Sequence, residues 1–224
     1  MTANSTGNCY LCGATLGKAA MKNHLFKLHG EDKGGQECYL MKIEGSYPKG
    51  YWLYIDVPKE KTLSAVDGFL RKIWLECCGH MSAFLYPGYT EIGMSRKLGS
   101  FAVGDNFLHH YDFGTTTETV ITIMGNSIRK PQKGIVRLLA RNAPPVFQCN
   151  DCGKPAEYIG TMLEDTSENL YYCADCCEKY DEDEEIALLP VTNSPRMGQC
   201  GYDGEYDSFE FDPISVSAKK KEVS

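Results

Sequence analysis

The chain has 224 residues, 42% of them hydrophobic and 24% charged, with a formal net charge of −7; this composition suits a folded protein and excludes global disorder. No apolar run approaches the roughly 20 residues needed to cross a bilayer. The opening MTANSTGNCYLC has neither the basic nor the apolar region of a secretory signal, so a cytoplasmic protein is expected.

Eleven cysteines in such a chain point to metal ligands or buried thiols rather than disulfides. The charge is uneven. Residues 1–46 carry 5 Lys+Arg against 4 Asp+Glu, residues 47–145 carry 12 against 8, and residues 146–224 carry 6 against 18. A mildly basic middle therefore precedes a strongly acidic end. The low pI argues against indiscriminate nucleic-acid binding, although the middle alone could hold a basic face.

In chain order, a loose polar start leads into Cys9-x2-Cys12-x11-His24-x4-His29. This is C2H2 spacing with one residue fewer in the middle, and two thiolates with two imidazoles suit a tetrahedral zinc ion. A helix from about Lys18 is expected to carry Met21, His24, Leu25 and Leu28 on one side. So short a segment buries too little surface to fold alone, so metal should supply its folding energy. The segment resembles the zinc-finger family over these residues. In that family helix positions −1, 3 and 6 read DNA; here they are Gly17, Ala20 and Asn23, and only Asn23 could read a base edge. A structural or protein-docking finger is expected, with phosphate contacts from Lys18, Lys22 and Lys27 as the alternative. Residues 1–34 are assigned to this finger and residues 35–46 to a linker containing Cys38, a free buried thiol.

Residues 47–145 form the expected body. Tyr51, Leu53, Ile55 and Val57 alternate with Trp52, Tyr54 and Asp56, a strand apolar enough on both faces to be central. Thr62 can cap a helix whose apolar stripe is Leu63, Val66, Leu70, Ile73 and Cys77, ending near Gly79. MSAFLY, residues 106–113 and 115–124, and residues 135–141 read as further strands; residues 126–134 read as a basic turn. Cys77, Cys78 and His80, with His109 or His110, could make a metal site. Against this, Cys77 lies on the apolar stripe and adjacent cysteines fit one tetrahedral ion poorly. A Cys–His nucleophile pair lacks an orienting partner, and Asp112 reads as a turn residue. The sequence carries no phosphate loop, G-x-G-x-x-G, G-x-S-x-G or H-E-x-x-H.

The leading strand, the TL…L helix ending at Trp74, HMSAF and FLHHYDFG before a Thr-rich strand together resemble the plasmid Ri open-reading-frame-three family, also labelled transposon-passenger TnpR-like, over residues 47–141. The resemblance implies a compact α+β domain, often with cysteine-rich extensions, and implies no defined activity. His80 and Asp112 match the family pattern. After YDFG the family usually continues with an acidic residue, a Trp and a His, whereas this chain has Thr115-Thr116-Thr117-Glu118.

Beyond Pro145, Cys149-x2-Cys152-x20-Cys173-x2-Cys176 has the spacing of a zinc ribbon, residues 146–180, with AEYIGTM and NLYYC as its hairpin and Cys177 as a spare neighbour. Four thiolates close such a site, which marks it as structural. An acidic extension, residues 181–214, follows; it opens on the run Asp181–Glu185 and carries Cys200 in a loop, and residues 215–224 are a frayed tail.

The expected fold class is therefore α+β, a compact mixed sheet-and-helix body flanked by an N-terminal C2H2-type finger and a C-terminal ribbon. The expected function is a non-enzymatic zinc-binding adaptor that engages a protein partner and holds two structural zinc ions. The alternative is a nucleic-acid-binding accessory protein of a mobile element or prophage. It would use Lys18, Lys22 and Lys27 with Arg96, Lys97, Arg129, Lys130, Lys133, Arg137 and Arg141.

Overall fold

The computed structural model describes residues 5–32, 34–130, 134–162, 170–180 and 186–212. In chain order its elements are β1 (Thr6–Cys9), β2 (Thr15–Gly17), α1 (Lys18–His29), β3 (Gln36–Gly45), β4 (Trp52–Pro58) and α2 (Leu63–Leu70), which continues as a π-helical turn, Arg71–Leu75. Then come β5 (Ser82–Leu85), β6 (Glu91–Ile92), a 3-10 turn at Leu98–Ser100, β7 (Asn106–Tyr111), β8 (Thr117–Arg129) and β9 (Arg137–Asn142). The C-terminal part adds β10 (Tyr158–Met162), β11 (Leu170–Tyr172), α3 (Ala174–Cys177) and β12 (Ile186–Pro190).

Nine strands make one sheet in the order β2-β1-β9-β4-β3-β8-β7-β5-β6, and three make a second in the order β11-β10-β12. Every named pairing in both sheets is antiparallel. This corrects the expected α+β class. The protein is β-rich with few helices, and the hairpin of the expected finger is hydrogen-bonded into the large sheet, with Gly7 opposite Asn142 and Asn8 opposite Arg141. The physical reason lies in residues 36–45. The segment read as a linker is a ten-residue strand, and it pairs with β4 on one side and β8 on the other. Its Tyr39, Met41 and Ile43 point into one core while Leu40 points into another.

The alternation of β4 divides the sheet the same way. Leu53, Ile55 and Val57 face a large core with Val66, Leu70 and Trp74. Trp52 and Tyr54 face a smaller core with Met21 and Leu25 of α1. The two helices therefore cover opposite faces of one sheet. Gly125 on β8 lets α1 come close, because a Cβ there would lie 2.7 Å from the Phe26 ring. Leu28, expected on the inner side of α1, is instead 67% exposed.

The helix over 63–79 also differs from expectation. Its stripe holds as far as Ile73, but the backbone widens at Arg71 and the Glu76 amide donates to the Arg71 carbonyl across 2.9 Å. Arg71 fixes this stop. It donates to Asp67 Oδ2 (3.0 Å), Glu76 Oε2 (2.8 Å) and the His80 carbonyl (2.7 Å), drawing residues 76–80 back against the helix. Cys77 and Cys78 consequently sit in a bend beyond the helix. The basic turn expected over 126–134 is strand as far as Arg129.

Residues 191–211 wrap the body. Ser194 Oγ donates to the Trp74 carbonyl at 2.6 Å, Arg141 pairs with Asp207 at 2.6 Å, and the Phe209 ring meets Phe69. No helix among the described residues is long and apolar enough to cross a membrane.

Candidate metal centres

Three groups of thiols and imidazoles come together, and within each the ligand atoms all lie within 4.8 Å of one another. All eleven cysteines are free thiols. Each group could hold a metal ion.

The first group is Cys9, Cys12, His24 and His29. Cys9 ends β1, and the turn behind it is closed by the Gly13 amide donating to the Cys9 carbonyl at 2.8 Å. His24 and His29 are five residues, about 1.4 turns, apart on α1, and their ring centroids lie 5.1 Å apart. Cys12 Sγ lies 3.2 Å from His24 Nε2. Burial pushes the Cys9 thiol up to about 11 and lowers His24. A cation must therefore displace the Cys9 proton, and its binding would be pH-dependent. The expectation that metal alone supplies the folding energy meets a different packing here. Met21 and Leu25 are buried against Trp52, Tyr54 and Leu40 of the large sheet.

The second group is Cys149, Cys152, Cys173 and Cys176. Two knuckles present the sulfurs. In the first, the Cys149 amide donates to the Lys154 carbonyl at 2.7 Å and the Gly153 amide to the Cys149 carbonyl at 2.9 Å. Gly153 has φ +74, which a side chain would strain. In the second, Cys173 caps α3 and the Cys176 amide donates to its carbonyl at 3.1 Å. The hairpin expected between them is present, with Tyr158 opposite Tyr172. Cys152 Sγ lies 3.6 Å from Cys173 Sγ, near the roughly 3.8 Å that two Zn–S bonds of about 2.3 Å span in a tetrahedron. Burial acts to raise the Cys149 thiol, yet amide hydrogen bonds from Cys173, Cys152 and Asp151 outweigh it and bring the group down to about 6. Cys177, the spare neighbour, donates to the Ala174 carbonyl at 3.1 Å.

The third group is Cys77, Cys78, His80 and Cys200. The sequence pointed to the first three but paired them with His109 or His110. The structure sends those two histidines elsewhere: His109 Nε2 lies 2.8 Å from Asp67 and His110 Nε2 lies 2.7 Å from Glu118. The fourth member comes from the C-terminal extension, with Cys200 Sγ 3.2 Å from His80 Nε2. Asp112 has the expected turn contact, accepting from the Gly114 amide at 3.0 Å, and also pairs with Arg196 at 2.7 Å. Cys38 is buried, as expected; burial, its largest cause, pushes the thiol up to about 11.

The basic residues proposed for nucleic acid do not gather on one surface. Arg129 and Arg137 both pair with Asp56, which is buried, and Arg141 pairs with Asp207. Lys18 pairs with Glu44. Lys22 and Lys27 ride on α1, while Arg96 and Lys97 adjoin the start of α2 on the opposite face of the sheet. The Lys130 amide donates to Asp32 at 3.1 Å. Lys133 and the acidic run 181–185 lie outside the described residues. A cleft of about 460 Å³ lies where the extension crosses β1 and β9, and the Arg141–Asp207 pair lines it.

No protein-family profile and no curated protein sequence matches the chain. Among solved structures it is similar to the crystal structure of a protein of unknown function from Methanosarcina mazei Go1, with 18% identity and a TM-score of 0.39. That likeness covers 54% of this chain and 76% of the other.

Proposed function

We propose that the chain is a non-enzymatic zinc-binding adaptor. One structural zinc ion is held by Cys9, Cys12, His24 and His29, and a second by Cys149, Cys152, Cys173 and Cys176. The observation that carries this reading is the closure of both sets, each with four protein donors within 4.8 Å. Four protein ligands fill a tetrahedron and leave no position for substrate or activated water. Zinc suits both sets because thiolate with imidazole, and thiolate alone, are its usual structural partners. A protein partner suits the molecule better than a nucleic acid, because Arg129, Arg137 and Arg141 are spent on internal carboxylates. The family resemblance of residues 47–141 stays part of this reading and adds no activity to it.

Elemental analysis of the purified full chain tests the metal half. Cys12→Ser and Cys152→Ser are each expected to lower the zinc content by one equivalent; unchanged content in both would overturn it. Binding of the zinc-loaded protein to mixed DNA and RNA fragments across a salt series tests the partner half. Negligible binding at every salt concentration is expected. Affinity that falls steeply with salt would mark phosphate contacts and replace the protein partner with a nucleic acid.

A further inference from the structure

We infer that Cys77, Cys78, His80 and Cys200 form a third metal site, a Cys3His site for a thiophilic d10 ion such as Zn²⁺, which latches the C-terminal extension onto the body. The four ligand atoms lie within 4.8 Å of one another, the same closeness found in the two closed sites. The 3.2 Å contact between His80 Nε2 and Cys200 Sγ repeats the 3.2 Å contact between His24 Nε2 and Cys12 Sγ. A shared tetrahedral ion places such N and S atoms about 3.6 Å apart.

The sequence raised two objections to this site: Cys77 lies on the apolar stripe, where it still packs against the core although only partly buried, and it is adjacent to Cys78. The adjacency is answered by their position in the bend after the π-helical turn. Outside helix and strand, neighbouring side chains are not held on divergent faces, so both sulfurs can turn toward one point.

Two further observations concern the surroundings. Cys200 has φ +48, a left-handed conformation that is uncommon outside glycine and that clusters at functional positions. Here it aims the thiol back at His80. Beside Cys77, the fully buried Arg196 donates from Nε to the sulfur at 3.4 Å and from Nη2 to Asp112 at 2.7 Å. A donor held there orients the Cys77 sulfur from behind, as partners of metal ligands commonly do.

The latch joins residues 120 positions apart, His80 and Cys200. It is the most exposed of the three, since Cys78 and Cys200 are both exposed, against Cys152 alone in the four-cysteine group and no ligand of the first. Its ion is therefore the most open to a soluble chelator, and the loop around Cys200 can loosen while the other two sites stay loaded.

The test is zinc stoichiometry of the full chain by native mass spectrometry, read together with hydrogen exchange over residues 194–202. Wild type is expected to carry three ions. Cys200→Ala should carry two and exchange faster over 194–202, whereas Cys200→His, which restores a ligand atom, should carry three. Limiting chelator should lower wild type from three ions to two and produce the same faster exchange. Two ions in wild type, or no difference in stoichiometry between wild type and Cys200→Ala, would overturn the inference. The two closed sites are scored by Cys12→Ser and Cys152→Ser, so either conclusion can fail without the other.

Discussion

Two of the groups that could hold a metal ion lie toward opposite ends of the chain, but they rest on different foundations. The N-terminal set is built into the nine-stranded sheet, and its helix buries Met21 and Leu25 against Trp52 and Tyr54. The C-terminal set has a three-stranded sheet of its own, and its buried cluster is Cys149, Tyr172, Cys173 and Cys176. Three of those four residues are the ligands themselves. One end has apolar burial to hold it without an ion; the other has little beyond its own cysteines and the rings around them. Similar ligand geometry thus carries different energetic roles, decided by what lies behind the ligands.

The largest effect should come from stripping metal with a strong chelator. Residues 146–162 and 170–180 are expected to lose amide protection throughout, while α1 keeps protection at Met21 and Leu25; equal loss at both ends would remove the contrast. Next, Leu25→Ala should cost about 2–5 kcal/mol, the range for emptying a buried leucine site, and urea unfolding would show it with metal present. A loss below about 1 kcal/mol would mean that the ion, not the packing, holds α1.

Acid should act on the body between the two ends through His109. Its ring is fully buried, burial lowers its proton affinity, and its Nδ1 has no hydrogen-bond partner among the described residues. Folding therefore favours the neutral ring, which donates from Nε2 to Asp67. The unfolded chain takes up this proton first, so stability is full above about pH 6.5 and falls below it by up to about 1.4 kcal/mol per pH unit. Burial acts to raise Asp67, but hydrogen bonds from His109, Ser82 and Arg71 bring it down to about 2, so its own contribution is lost only between about pH 4 and 2. His109→Gln should flatten the upper part of a stability–pH curve measured on metal-free protein; an unchanged slope would place the acid sensitivity elsewhere. The smallest effect is reserved for Lys18→Met. It breaks the partly exposed pair with Glu44 and should cost under about 1 kcal/mol in denaturant unfolding, because apolar contact docks α1. A cost comparable to that of Leu25→Ala would show that charge docks it instead.

How much of this was legible in the sequence follows from the range of the interactions. Cys149, Cys152, Cys173 and Cys176 are presented by two local knuckles, so their grouping was legible in the spacing alone. The central strand β4 was legible because its residues are apolar on both faces. Strand β3 was not, since Gly34, Gly35 and the charges around Cys38 resemble a connection, and only pairing with β8 makes the segment central. The basic residues after Met124 looked like a turn because the buried carboxylate that receives Arg129 sits 73 residues away, at Asp56. Cys200 is the clearest loss. Nothing near it in sequence hints at a partner, and it meets Cys77, Cys78 and His80 only once the extension has crossed the body.

The seating of β1 beside β9 has a temporal consequence. Gly7 pairs with Asn142, so during synthesis the first strand must wait for the ninth, on the order of 10 s at ribosomal rates of about 5–20 residues per second. Through that interval β1 is an uncovered edge, the kind of surface on which nascent chains stick to one another. Cys9, Cys12, His24 and His29 lie within 21 residues of one another and all emerge before β9. An ion captured there would tie hairpin and helix together before the sheet exists, so that the N-terminal site would guard the newborn chain as well as brace the finished one.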